Sequence, residues 1–153
     1  MKKKIMVDLD VVTVAEWNSD KDAITFIHKI KKGEFILFTP YILIEHLSKW
    51  EHKKLVSKIE HFYNIYSKTI ISAQNVLDRI NEIGINRDKL TDELLKAGVK
   101  EEDAVLVIIT SIFDMDYLVT FNRKHLKGKE IKINEVLKRN ELKNIKICLP
   151  NEI

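Results

Sequence analysis

Lys4-Ile5-Met6-Val7-Asp8-Leu9-Asp10 is a short apolar run that stops abruptly in two acids, which is how a buried strand ends at the rim of a sheet. Working outward from it, Asp20 is placed to cap a helix running through Lys32, with Ala23, Phe26, Ile27 and Ile30 at helical spacing and Gly33 as its stop. Glu34 to Phe38 reads as a second strand. Thr39-Pro40 then opens a helix that carries Glu45 two turns in, and a helical hairpin pattern follows to about Tyr66. A third β-branched run covers Thr69 to Ser72. Two amphipathic stretches, Ala73 to Ile83 and Arg87 to Ala97, each precede a glycine, Gly84 and Gly98. Glu101 to Ile112 is a mostly apolar helix with acids in its first turn, Tyr117 to Phe121 a fourth strand, Ile131 to Arg139 a helix, and Lys146 to Leu149 a last strand before Pro150.

Strands that alternate with helices pair in parallel and bury both faces, so the expected fold is a three-layer α/β/α sandwich on a mainly parallel sheet of about five strands. With 153 residues, 45% hydrophobic and 32% charged, and only four Gly and two Pro, the chain suits one globular domain spanning 1–153, with 73–98 as a helical insert. Its longest apolar stretches, such as Ala104 to Ile109, fall far short of the roughly 20 residues a bilayer span requires, which argues against a membrane partner. Neither a signal peptide nor a disulfide pair is evident, the lone Cys148 lying in an apolar strand, so a cytoplasmic location is expected.

Ligands in open parallel sheets sit beyond the carboxyl ends of the strands. Asp8 follows the first strand, Glu45 lies in the helix after the second, Asn122 follows the fourth, and Asp103 begins the helix that returns to the fourth. All four therefore belong to one rim, whereas Asp114 and Asp116 precede the fourth strand and belong to the opposite edge. Carboxylates pushed together repel and are costly to desolvate unless a cation accompanies them. Oxygen donors without Cys or His favour Mg²⁺ or Mn²⁺ over zinc, and such an ion activates water and neutralises phosphate charge. Asp8, Glu45 and Asp103 are the expected metal ligands, with Asn122 beside them. Asp10 and Thr120 are expected to support those ligands by hydrogen bonds rather than to touch the ion.

Taken in order, Lys4 to Asp8, Ile42-Leu43-Ile44-Glu45-His46-Leu47, Asp103-Ala104-Val105-Leu106-Val107-Ile108 and Leu118-Val119-Thr120-Phe121-Asn122 resemble the motifs of PIN-domain nucleases of the VapC type, over essentially the whole chain. That resemblance implies metal-dependent endoribonuclease activity with Mg²⁺ or Mn²⁺, RNA as substrate, frequently the role of toxin in a toxin–antitoxin pair with an antitoxin protein as partner, and a homodimer. Asp8, Glu45 and Asp103 match its first three acids and Asn122 its fourth position. An amide there leaves three carboxylates and one firmly held ion. The 73–98 insert is longer than compact toxins usually carry.

Two other readings start from the same residues. A PIN-like module that binds RNA or protein without cutting is compatible with Asn122. Val7-Asp8-Leu9-Asp10-Val11 and Phe38-Thr39 also resemble motifs of haloacid-dehalogenase-type phosphatases, but Asp114-Met115-Asp116 precedes its strand instead of following it. The net charge of +3 is modest, yet basic residues bunch at Lys2–Lys4, Lys29–Lys32, Lys49–Lys54 and Arg123–Lys129, nearly all lysines suited to phosphate contact. Trp50, Phe62, Tyr63 and Tyr66 are read as core rather than as a stacking platform, and none of the five histidines as a ligand.

Overall fold

A computed structural model describes residues 1–153. Five strands, β1 (Lys3–Val7), β2 (Phe35–Pro40), β3 (Ser67–Ile71), β4 (Tyr117–Val119) and β5 (Lys146–Cys148), form one sheet in the order β3-β2-β1-β4-β5. Every pairing is parallel, with Ile5 opposite both Leu37 on β2 and Tyr117 on β4. Ile5, Met6 and Val7 are fully buried because helices cover the sheet on both faces. The expected sandwich and its five parallel strands are observed.

Eight α-helices make the outer layers. On one side lie α1 (Leu9–Glu16), α2 (Lys21–Lys31), α3 (Tyr41–Ser48) and α4 (Lys53–Tyr66), linked by contacts of α1 with α2 and α4 and of α3 with α4. The other group is α5 (Ala73–Ile83), α6 (Arg87–Lys96), α7 (Glu101–Ile112) and α8 (Glu130–Arg139), joined through α6 and α7. Thus 73–98 forms two helices packed on α7 and α8. Ser72 starts α5 with a capping box to Asn75, and Gly84 ends it in the left-handed conformation at φ +79°.

The chain runs from β1 outward through β2 to β3, then crosses the sheet to β4 on the other side of β1. The strand order therefore reverses between β1 and β4, and the crevice at their carboxyl ends is where such folds place ligands. Asp8 follows β1 there, and Thr120 follows β4. At the opposite edge Asp116 exchanges hydrogen bonds with Lys4, its backbone N–H donating to the Lys4 carbonyl at 2.8 Å and its carboxylate accepting from the Lys4 N–H at 2.8 Å. Asp114 faces Arg79 at 3.9 Å. Both acids are turn and strand-edge residues, remote from the crevice.

Two elements differ from the sequence reading. Leu9 to Glu16, unassigned in the sequence pattern, is helix α1, capped by Asp8, whose carboxylate accepts from the Leu9 N–H at 2.8 Å. Val11, Val12, Thr13 and Val14 are β-branched and locally poor helix formers, but burying Leu9, Val11, Val12 and Thr13 outweighs their propensity. Thr39 and Pro40 belong to β2, with Pro40 as the cap of α3, so Glu45 is one turn into that helix rather than two. Phe62 and Tyr63 are core, as expected. The Tyr63 hydroxyl donates to the Val7 carbonyl at 2.8 Å, bracing the end of β1.

Candidate metal centre

Thr120, Phe121 and Asn122, the turn leaving β4, hold three carboxylates together. The buried Thr120 hydroxyl donates to Asp8 Oδ2 at 2.9 Å, and the same oxygen accepts the Asn122 N–H at 3.0 Å. It also lies 3.4 Å from Asp10 Oδ2. The Phe121 N–H donates to the Asp10 carboxylate at 3.2 Å. Asn122 Nδ2 donates to Asp103 Oδ2 at 3.1 Å, and its Oδ1 accepts the His125 N–H at 2.9 Å, which fixes the amide's orientation. One turn thus ties the end of β1, the first turn of α1 and the first turn of α7 to a common point.

None of these acids forms an ion pair with Lys or Arg. Burial raises the Asp8 pKa above the ordinary 3.8, offset in part by hydrogen bonds from Thr120 and Leu9 and by the charge of His46. Asp10 is pushed up to about 7, first by burial and then by the neighbouring Asp8 charge. Asp103 rises to about 6 through burial and the charges of Asp8 and Glu102. Burial makes all three acids harder to ionise, and the Asp8 charge adds to this at Asp10 and Asp103, the condition a bound cation relieves.

A cavity of about 640 Å³ opens beside Asp8 and Asp10, bounded by Trp17, His46, Lys49 and Trp50. Of the residues singled out in the sequence, Asp8, Asp103, Asn122, Asp10 and Thr120 come together. Asp10 has direct backbone and side-chain links to the turn and is as much part of the cluster as Asp8. Glu45 is exposed on α3 and makes no side-chain hydrogen bond or ion pair; the α3 residue that lines the cavity is its neighbour His46. Lys49, on the cavity, belongs to the basic run Lys49–Lys54, whereas His46 and Trp17 are cavity residues that the sequence pattern does not mark: Trp17 depends on α1, and no local spacing distinguishes His46.

The donor set suits a hard divalent cation, being oxygen-rich and without an ion pair to lysine or arginine. No three of the His, Cys, Asp and Glu side chains are close enough to enclose a bare ion. A strongly hydrated ion, which keeps several waters and takes one or two carboxylates directly, fits this arrangement.

An all-parallel sheet with strand order β3-β2-β1-β4-β5, acids at its switch point and helices on both faces define a three-layer α/β/α fold. The structure is similar to VapBC2 from Rickettsia felis, solved bound to a DNA fragment from their promoter, with a TM-score of 0.58 and 15% sequence identity over 95% of this chain and 98% of that one. That likeness is one of fold. No protein-family model and no curated protein sequence matches the chain.

Proposed function

We propose that this chain is a metal-dependent endoribonuclease in which Asp8 and Asp103 hold a hydrated Mg²⁺ or Mn²⁺ ion and Glu45 completes the set from α3. The observation that carries the reading is the Thr120–Asn122 turn, which gathers Asp8, Asp10 and Asp103 at the switch point with no ion pair to Lys or Arg. A divalent ion bound there supplies charge neutralisation on phosphate oxygens and an acidified water, the chemistry phosphodiester hydrolysis needs.

The residues of the chain set up that chemistry. Thr120 fixes the Asp8 carboxylate through Oδ2 while the Leu9 N–H holds Oδ1, so Asp8 is pinned at both oxygens. Asn122 orients Asp103 through one oxygen and leaves the other available. Glu45 on α3 makes no hydrogen bond or ion pair, so its carboxylate is not committed to another partner. Asp10, held by the Phe121 N–H beside Asp8, is placed as a proton acceptor at this rim.

The motif resemblance implies a role as the toxin of a toxin–antitoxin pair, with an antitoxin protein as partner and a homodimer as the assembly, and the likeness in fold to VapBC2 agrees with the toxin reading. Incubation of purified chain with single-stranded RNA tests the nuclease reading. Cleavage is expected with Mg²⁺ or Mn²⁺, none in EDTA, and at least a hundredfold loss in Asp8→Asn, Asp103→Asn and Glu45→Gln that still melt cooperatively. Undiminished cleavage by both aspartate variants would sink the proposed centre. RNA binding without metal-dependent cleavage would instead assign the chain to the non-cutting modules.

A further inference from the structure

Helix α3 brings a ring nitrogen to the cavity that holds Asp8 and Asp10. Leu43 and Leu47, both buried, fix the inward face of that helix, and His46 lies at the border of the same face. Its half-buried ring lines the cavity with Asp8, Asp10 and Glu102, close enough for its charge to act on Asp8. Yet His46 forms no side-chain hydrogen bond and no ion pair with any carboxylate. The ring and the acids share a cavity without touching. A side chain that serves packing nearby does have its partner, as the Tyr63 hydroxyl has in the Val7 carbonyl.

The charged lining is Asp8, Asp10 and Glu102 against Lys49, a net negative wall that favours a cation. No three of the side chains enclose a bare ion, but an ion that keeps several waters needs only one or two protein donors. Asp8 is one of them: Thr120 and the Leu9 N–H hold its oxygens in place, and each oxygen keeps a lone pair for a metal. An imidazole beside that carboxylate discriminates between cations. Mg²⁺ takes oxygen donors and gives up its waters reluctantly, whereas divalent first-row transition ions also accept a ring nitrogen.

We propose that His46 supplies a nitrogen donor to the ion held by Asp8, so that the centre takes Mn²⁺ in preference to Mg²⁺. The inference rests on the nuclease reading for the presence of the ion. It keeps the carboxylates of that reading and adds a histidine that the sequence pattern leaves out of the ligand set. Its test needs no RNA.

Pulsed electron paramagnetic resonance of the whole chain with Mn²⁺ at pH 8 reads the donor directly. Nitrogen hyperfine couplings are expected in the parent. They should change to those of nitrogen-15 when histidine alone carries that isotope, vanish in His46→Gln and persist in Glu45→Gln. Thermal melts titrated with each ion read the preference. Loss of a donor weakens metal binding by about tenfold or more, so His46→Gln should raise the Mn²⁺ midpoint by that factor and change the Mg²⁺ midpoint little. No nitrogen coupling in the parent, couplings that survive in His46→Gln, or Mn²⁺ and Mg²⁺ midpoints raised by the same factor would each overturn the proposal. The isotope experiment uses the parent chain, so it decides the donor type even where the variant fails to fold. Metal-dependent RNA cleavage by a parent that shows no nitrogen coupling removes His46 but keeps the nuclease. Mn²⁺ bound through His46 in a chain that does not cut RNA does the reverse.

Discussion

Asp10→Asn is expected to stabilise the protein in EDTA, and to do so more at pH 8 than at pH 5. Asp10 has its pKa raised from 3.8 to about 7 by burial and the adjacent Asp8 charge. Between those values the folded chain binds a proton that the unfolded chain has released, so stability falls as pH rises through this window and the loss is complete above it. At about 1.4 kcal/mol per pH unit, the part falling between pH 5 and pH 7 is roughly 2–3 kcal/mol. Asp10 remains partly open to solvent, which screens its charge, and about 1–2 kcal/mol is the expected difference. The asparagine carbonyl still accepts from the Phe121 N–H, so the variant loses the charge while keeping the backbone link. For a chain of this size the melting-temperature gain of Asp10→Asn over the parent should be about 2–8 °C larger at pH 8 than at pH 5. Thermal melts in EDTA read it directly, and saturating Mg²⁺ should narrow the gap by stabilising the parent more. A gain that is equal at both pH values, or larger at pH 5, would refute the claim that crowded carboxylates strain this rim.

Thr120→Val removes the hydroxyl that donates to Asp8 and accepts from the Asn122 N–H in a fully buried position. A loss of about 2–3 kcal/mol in denaturant melts is expected, with Thr120→Ser close to the parent; a neutral Thr120→Val would mean the turn is held by other contacts. Asn122→Asp replaces the amide that donates to Asp103 with a fourth carboxylate. It should lower the melting temperature in EDTA at pH 8 yet bring the Mg²⁺ midpoint for thermal stabilisation to lower concentration, and a midpoint unchanged or raised would count against an ion at this position.

Strand and helix order, the parallel sheet and the assignment of Asp8, Asp103 and Asn122 to one rim were legible in the linear pattern. Short β-branched runs alternating with amphipathic segments admit few topologies, and in a parallel sheet every strand's carboxyl end points the same way. For the same reason Asp114 and Asp116, preceding β4, were separable from the site. The 73–98 helices were legible from their glycine stops, Gly84 and Gly98, both at positive φ.

Tertiary packing alone decided the rest. Helix α1 forms against its local propensity because β-branched side chains there find apolar neighbours distant in sequence, and with it came Asp10's place in the cluster and Trp17's place on the cavity. Nor does spacing along α3 settle which side chain meets Asp8: the helix's rotation sets His46 on the cavity and leaves Glu45 in solvent. The opening run from Lys4 to Asp10 determined that a strand ends in acids at a sheet rim. That those acids are bound through one Thr-Phe-Asn turn to a third from α7, and that burial together with the Asp8 charge raises the pKa of Asp103, depends on distances across more than ninety residues of chain, which only the folded structure brings within reach.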